Sequence, residues 1–126
     1  MSKAQTHGNL PEFPNQGERL APHHKSDSAL ELLARRRSTA AAAMREPGPS
    51  AEEIDTLLGI AQRVPDHGKM APWRFVLFQG EERAKFGQIL AKIWSSENET
   101  DEARMELELN RFTRAPLVIA VISQGL

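Results

Sequence analysis

Cysteine is absent from this chain, which removes disulfides, thiolate nucleophiles and cysteine-based zinc or iron–sulfur sites at once. Charge of one sign is lacking as well: the formal net charge at pH 7 is −1. No global electrostatic pull therefore draws the chain to nucleic acid or to an anionic membrane surface. No apolar run approaches the ~20 residues that span a bilayer. Lys3 is not followed by the apolar stretch of a secretory leader. These absences fit a cytoplasmic protein whose partners are neither nucleic acid nor membrane.

What is present is ordinary for one soluble domain: 126 residues, 40% hydrophobic and 26% charged. Residues 1–27 read as a solvated, disordered tail. Pro11, Pro14, Pro22, Gly8 and Gly17 punctuate it, and Lys3, Arg19 and Lys25 cancel Glu12, Glu18 and Asp27. No periodic apolar set there could bury a face. The adjacent His23 and His24 fall in this tail and read as solvated side chains, not metal ligands.

Residues 28–126 carry the patterned part. A first helix is expected from Ser28, with Ser28 and Glu31 at capping-box spacing and Leu30, Leu32 and Leu33 on its apolar side. A second should start after Ser50, which with Glu53 makes another box. Ile54, Leu57, Leu58 and Ala61 follow at helical spacing, and Pro65 closes the segment. Trp73–Phe78 reads as a strand, broken by Gly80. A helix over 81–94 should bury Phe86, Ile89, Leu90 and Ile93, with a polar loop over 95–101. A charged helix with Met105, Leu109 and Phe112 inward is expected next. Leu117–Ile122, aliphatic and β-branched, reads as a strand covered on both faces. Two strands are too few for such a sheet, so the pattern suggests a truncated domain or an oligomer that supplies the missing strands.

Two clusters could carry chemistry. Residues 28–45 hold four arginines against one glutamate, a local charge of +3. Within them Arg35-Arg36-Arg37-Ser38 offers planar bidentate donors and a hydroxyl suited to phosphate. Cations favoured by the dipole at a helix C-terminus explain the same residues without a ligand. The second cluster, Arg63 to Trp73, is a loop stiffened by Pro65 and Pro72 that carries Arg63, His67 and Lys69. It could hold a ligand or be only a connecting turn, and His67 alone could be structural.

Together the clusters become specific. Arg36-Arg37-Ser38, then Arg63-x-Pro65-Asp66-His67-x-x-Met70-x-Pro72-Trp73, then the strand Arg74-Phe75-Val76-Leu77 resembles the FMN-dependent nitroreductase family, and within it the short bacterial NAD(P)H nitroreductases. Val64 stands where that loop usually has Ala. Arg114-Ala115-Pro116-Leu117-Val118-Ile119 looks like the family's Arg-Ala-Pro approach to a core strand. The resemblance covers about residues 28–123 and none of the tail.

It implies an α+β, nitroreductase-like fold cut after the second strand, with residues 28–126 as its N-terminal part. It assigns Arg36, Arg37 and Ser38 to the FMN phosphate and ribityl chain, and Arg63 and His67 to further flavin contacts. In the family NAD(P)H reduces the flavin and a second substrate is reduced in turn, so neither a catalytic side chain nor a metal is implied. Such enzymes are homodimers with FMN at the subunit interface, and the C-terminal half supplies part of each site. The chain alone is thus expected to be poorly folded and to bind FMN weakly or not at all. Two other readings compete with a working reductase: an inactive remnant of a disrupted gene, and a small module using Arg35–Arg37 against RNA or an acidic partner. The latter lacks aromatic neighbours for base stacking.

Overall fold

The computed structural model describes residues 10–99 and 101–124, with His67 by its backbone alone. Among the described residues, four α-helices, two single 3-10 turns and one two-stranded sheet give the α+β content expected from the sequence. The chain divides into two units: Met1–Ser38 with Ser50–Val64, and Thr39–Pro49 with Pro65–Leu126. Residues 1–9 of the expected tail lie outside the described residues, and residues 10–26 hold no helix or strand.

The first unit carries α1 (Asp27–Arg35) and α2 (Ala51–Ala61). The start of α1 differs from the sequence reading. Its N-cap is Ser26, whose Oγ accepts from the Ala29 N–H at 3.3 Å, while Ser28 Oγ lies 3.2 Å from Ser26 Oγ. Ser26 wins because it places Asp27 in the first turn, where the dipole favours an acid. The box expected on α2 forms: Glu53 N–H donates to Ser50 Oγ (3.2 Å), and Ser50 N–H donates to Glu53 Oε2 (2.7 Å). Ile54 is buried and Leu58 half-buried, whereas Leu57 is exposed. The Phe13 ring lies over Gly59, where an added Cβ would sit 2.5 Å from Phe13 Cζ.

The second unit holds β1 (Trp73–Gln79), α3 (Glu82–Glu97), α4 (Glu102–Leu109) and β2 (Leu117–Ser123). The strands pair antiparallel, with Trp73 opposite Ser123 and Gln79 opposite Leu117. Gly80, at φ 51°, turns the chain from β1 toward α3. The inward stripe of α3 is rotated from the one expected. Gly87 and Ala91 are buried, Phe86, Leu90 and Trp94 half-buried, and Ile89 and Ile93 exposed. Close approach of α4 explains the choice, because a Cβ on Gly87 would collide with the backbone carbonyl of Leu109. A crossing that tight takes small residues, and the bulky isoleucines turn outward.

Two further expectations change. Ser95 and Ser96 belong to α3 and not to a loop: their hydroxyls donate back to Lys92 O (2.9 Å) and Ile93 O (2.7 Å), which lets polar residues stay helical. On α4 the buried residue is Glu108, with Leu109 37% exposed. The packing that closes this unit is aromatic: Phe78, Phe86 and Phe112 sit 4.5–5.1 Å apart between centroids, at distances where ring pairs attract. β2 is not covered on both faces. It is half-buried over Leu117–Ala120, but Val121 is 64% exposed. With β1 as its only strand partner among the described residues, the far end of β2 faces solvent.

Candidate functional site

The end of α1 presents the arginine cluster. Arg35 is held by Glu31 one turn back (3.3 Å). Arg36 is the C-cap: its N–H donates to Leu32 O (2.9 Å), and its ψ of 146° takes the chain out of the helix. Arg37 and Ser38 follow in irregular backbone. The guanidiniums of Arg36 and Arg37 are exposed and make no hydrogen bond or ion pair among the described residues. Beside them Ser28, Glu31, Leu32, Arg35 and Arg36 line an open cleft of about 400 Å³. An anion here meets the unfavourable end of the helix dipole, so cationic side chains must supply all the attraction. Two free guanidiniums and a hydroxyl suit a phosphate dianion.

Arg63 lies in the same unit, just beyond α2. Its N–H donates to Ile60 O (3.0 Å), and its side chain is exposed and without a partner among the described residues. His67 belongs to the second unit, where it opens the 3-10 turn His67–Lys69. Neither unit by itself contains all five predicted site residues.

The backbone around His67 is unusual. Gly68 (φ 64°) is followed by two non-glycine residues in left-handed conformation, Lys69 (φ 56°) and Ala71 (φ 43°). Such residues each cost about 1–3 kcal/mol and need support from their surroundings. Asp66 supplies it by accepting from Ala71 N–H at 2.8 Å, and Trp73 N–H donates to Ala71 O at 2.7 Å. Strain of this kind concentrates at ligand-holding loops. The two prolines of this loop are legible in the sequence, whereas the bond from Asp66 is not.

A buried charge cluster lies elsewhere in the second unit, outside the residues the sequence motifs single out. Glu108, 4% exposed, accepts from Arg111 Nε and Nη2 (2.7 Å each), and Arg104 Nη2 lies 3.1 Å from the same carboxylate. The Arg111 hydrogen bonds hold the Glu108 carboxyl below its ordinary value. Burial opposes them, and the charges of Arg111, Arg104 and Arg114 reinforce them. Arg104 also stacks over Trp94, 4.8 Å from the ring. Spacings of four and three residues among Arg104, Glu108 and Arg111 were the available signal. The cluster ties α4 to α3 and the turn after it, and is structural.

Residues 33–125 match the Nitroreductase family, and the chain belongs to that family. Among curated proteins it is 38% identical over 96 residues to the Escherichia coli K12 protein "Putative NAD(P)H nitroreductase YdjA", a match covering 76% of this chain and 51% of that one. A Haemophilus influenzae protein, "Putative NAD(P)H nitroreductase", is 33% identical over 96 residues, covering 76% of this chain and 50% of its own length. The chain thus spans about half the length of these relatives. No helix among the described residues is long and apolar enough to cross a membrane.

Proposed function

We propose that this chain carries the N-terminal half of the flavin site of an FMN-dependent NAD(P)H oxidoreductase, which works in the cytoplasm as a homodimer and reduces nitroaromatic, quinone or related acceptors. The observation that carries this reading is the pair of guanidiniums, Arg36 and Arg37, without partners among the described residues and preceding Ser38 in a chain of this family. These residues fit a flavin phosphate: two forked cations and one hydroxyl match a dianion with three terminal oxygens. Arg36 and Arg37 would hold the phosphate, and Ser38 would bond the phosphate or the ribityl chain. Arg63 and His67 would add flavin contacts, with the Asp66–Lys69 turn kept in shape by Asp66.

A bound flavin would supply the hydride chemistry between the nicotinamide and the acceptor, which no side chain here need supply. The chain's own task is to bind and orient. Exposed leucines on α1 (Leu30, Leu32 and Leu33, 58–67% exposed) offer apolar area for the second copy. Names of the relatives support the nicotinamide assignment.

Titration of FMN fluorescence against the wild type, Arg63→Gln and His67→Ala tests the outer contacts. Each variant is expected to weaken binding about tenfold or more, since one hydrogen bond to a charged group contributes about 1.5–3 kcal/mol. Unchanged affinity in both would remove Arg63 and His67 from the site.

A further inference from the structure

We propose that Arg45 and Arg114 form a second anion site, one that takes a phosphate group, in the cleft between the 44–48 segment and the turn preceding β2. The cleft, about 280 Å³, is lined by Met44, Arg45, Glu46, Arg83 and residues 113–116, all within the second unit. That volume holds roughly nine waters at their liquid share, enough for a phosphate with part of its hydration shell.

Three arginines and one carboxylate face this space, but they are not equivalent. Arg83, with its side chain 15% exposed, is engaged through all three guanidinium nitrogens: Nε donates to Gly80 O (3.2 Å), Nη1 to Ala115 O, and Nη2 to Glu46 Oε1 (3.2 Å). Glu46 is spent as well, because its second oxygen accepts from Gly48 N–H at 3.0 Å. Arg83 and Glu46 therefore brace the walls and neutralise each other. Gly48 seats the segment against Pro116 so closely that an added Cβ would lie 2.9 Å from Pro116 Cβ.

The remaining cations make no ion pair among the described residues. Arg45 uses Nη1 on two backbone carbonyls, Ala42 O (2.6 Å) and Met44 O (3.0 Å), which fixes its position but not its charge. Arg114 makes no side-chain hydrogen bond or ion pair among the described residues. The charge of Arg114 acts on Glu108, but the oxygens of that carboxylate are occupied by Arg111 and Arg104. Two exposed guanidiniums are left on braced walls, with no carboxylate of the described residues bonded to either. A tetrahedral dianion accepts from both forks at once, whereas a chloride offers one point of contact.

The chemistry is shared by free inorganic phosphate and by the terminal phosphate of a monoester, and the experiment separates them. Equilibrium dialysis of radiolabelled inorganic phosphate is run on the Arg36→Gln/Arg37→Gln chain, so that the proposed flavin site cannot contribute. Saturable binding of one phosphate per chain is expected, weakening with added salt. Adding Arg45→Gln and Arg114→Gln should lower the affinity at least tenfold, with an unchanged far-ultraviolet circular dichroism spectrum. Phenyl phosphate displacing the label more effectively than unlabelled phosphate would identify a monoester as the ligand class, and the reverse order the free anion. Should the added substitutions disturb the fold, Nε–H resonances in the parent chain decide: those of Arg45 and Arg114 should shift on phosphate addition. Absence of saturable binding, or affinity insensitive to Arg45 and Arg114, would overturn the proposal while leaving the flavin assignment untouched.

Discussion

Replacing Gly87 by alanine is the sharpest test of how the second unit is packed. On an isolated helix the change should help, because alanine is favoured over glycine by about 1 kcal/mol. In this fold the new methyl has nowhere to go. It would meet the carbonyl oxygen of Leu109, a backbone atom at the end of α4. That end is pinned by the Asn110 N–H to Glu106 O bond (3.1 Å), the Arg111 fork on Glu108 and the packing of Phe112. Overpacking at such a contact costs about 1–3 kcal/mol, with the upper part of the range apt for a backbone atom. The net loss is then about 1–2 kcal/mol, or on the order of 10 °C in melting temperature for a domain of this size. Thermal melts followed by circular dichroism should show that drop for Gly87→Ala and little change for the neighbouring, exposed Gln88→Ala. A Gly87→Ala chain as stable as the parent would refute the close α3–α4 crossing.

Other consequences are independent of that crossing. Ser50→Ala and Ser26→Ala should each lose about 1 kcal/mol in urea unfolding, while Ser28→Ala should stay near zero, because Ser26 and not Ser28 caps α1. Glu108 has a lowered pKa in the fold, so its contribution is present above its ordinary value of 4.5 and fades as pH falls through the lower folded value. The gap in melting temperature between wild type and Glu108→Gln should accordingly be widest above pH 4.5 and narrow in more acid solution. The solvent-facing end of β2 should promote association through its unpaired edge. Val121→Lys, at a residue 64% exposed, is expected to reduce concentration-dependent light scattering without altering the secondary-structure spectrum.

The sequence made some parts of this fold legible and hid others for identifiable reasons. Ser50 and Glu53 could be read as a cap because both partners lie within one turn and need nothing else. The two strands were readable from alternation and from a β-branched run. Which face of α3 turns inward was not, since Ile89 and Ile93 are more apolar than Gly87 and Ala91. Only the proximity of another helix makes small size worth more than hydrophobicity. Likewise Leu109 outranks Glu108 on any hydropathy scale, and the carboxylate is buried because three charge-assisted hydrogen bonds and ion pairs compensate its desolvation. Of the candidate site, the Arg36-Arg37-Ser38 run was plain in the sequence. The bracing role of Arg83, which bonds to residues 32 and 37 positions away, was not.

The measurement that bears most directly on the flavin assignment compares FMN with riboflavin, which lacks the phosphate, in equilibrium titrations of the wild-type chain and of Arg36→Gln/Arg37→Gln. Hydrogen bonds to a charged group contribute about 1.5–3 kcal/mol each, so even one should separate the two ligands by about tenfold or more. FMN, however weakly it binds the chain alone, is expected to bind the wild type at least that much more tightly than riboflavin, and the double substitution should erase the difference. Equal binding of the two flavins, or a preference for FMN that survives the loss of both arginines, would contradict that assignment.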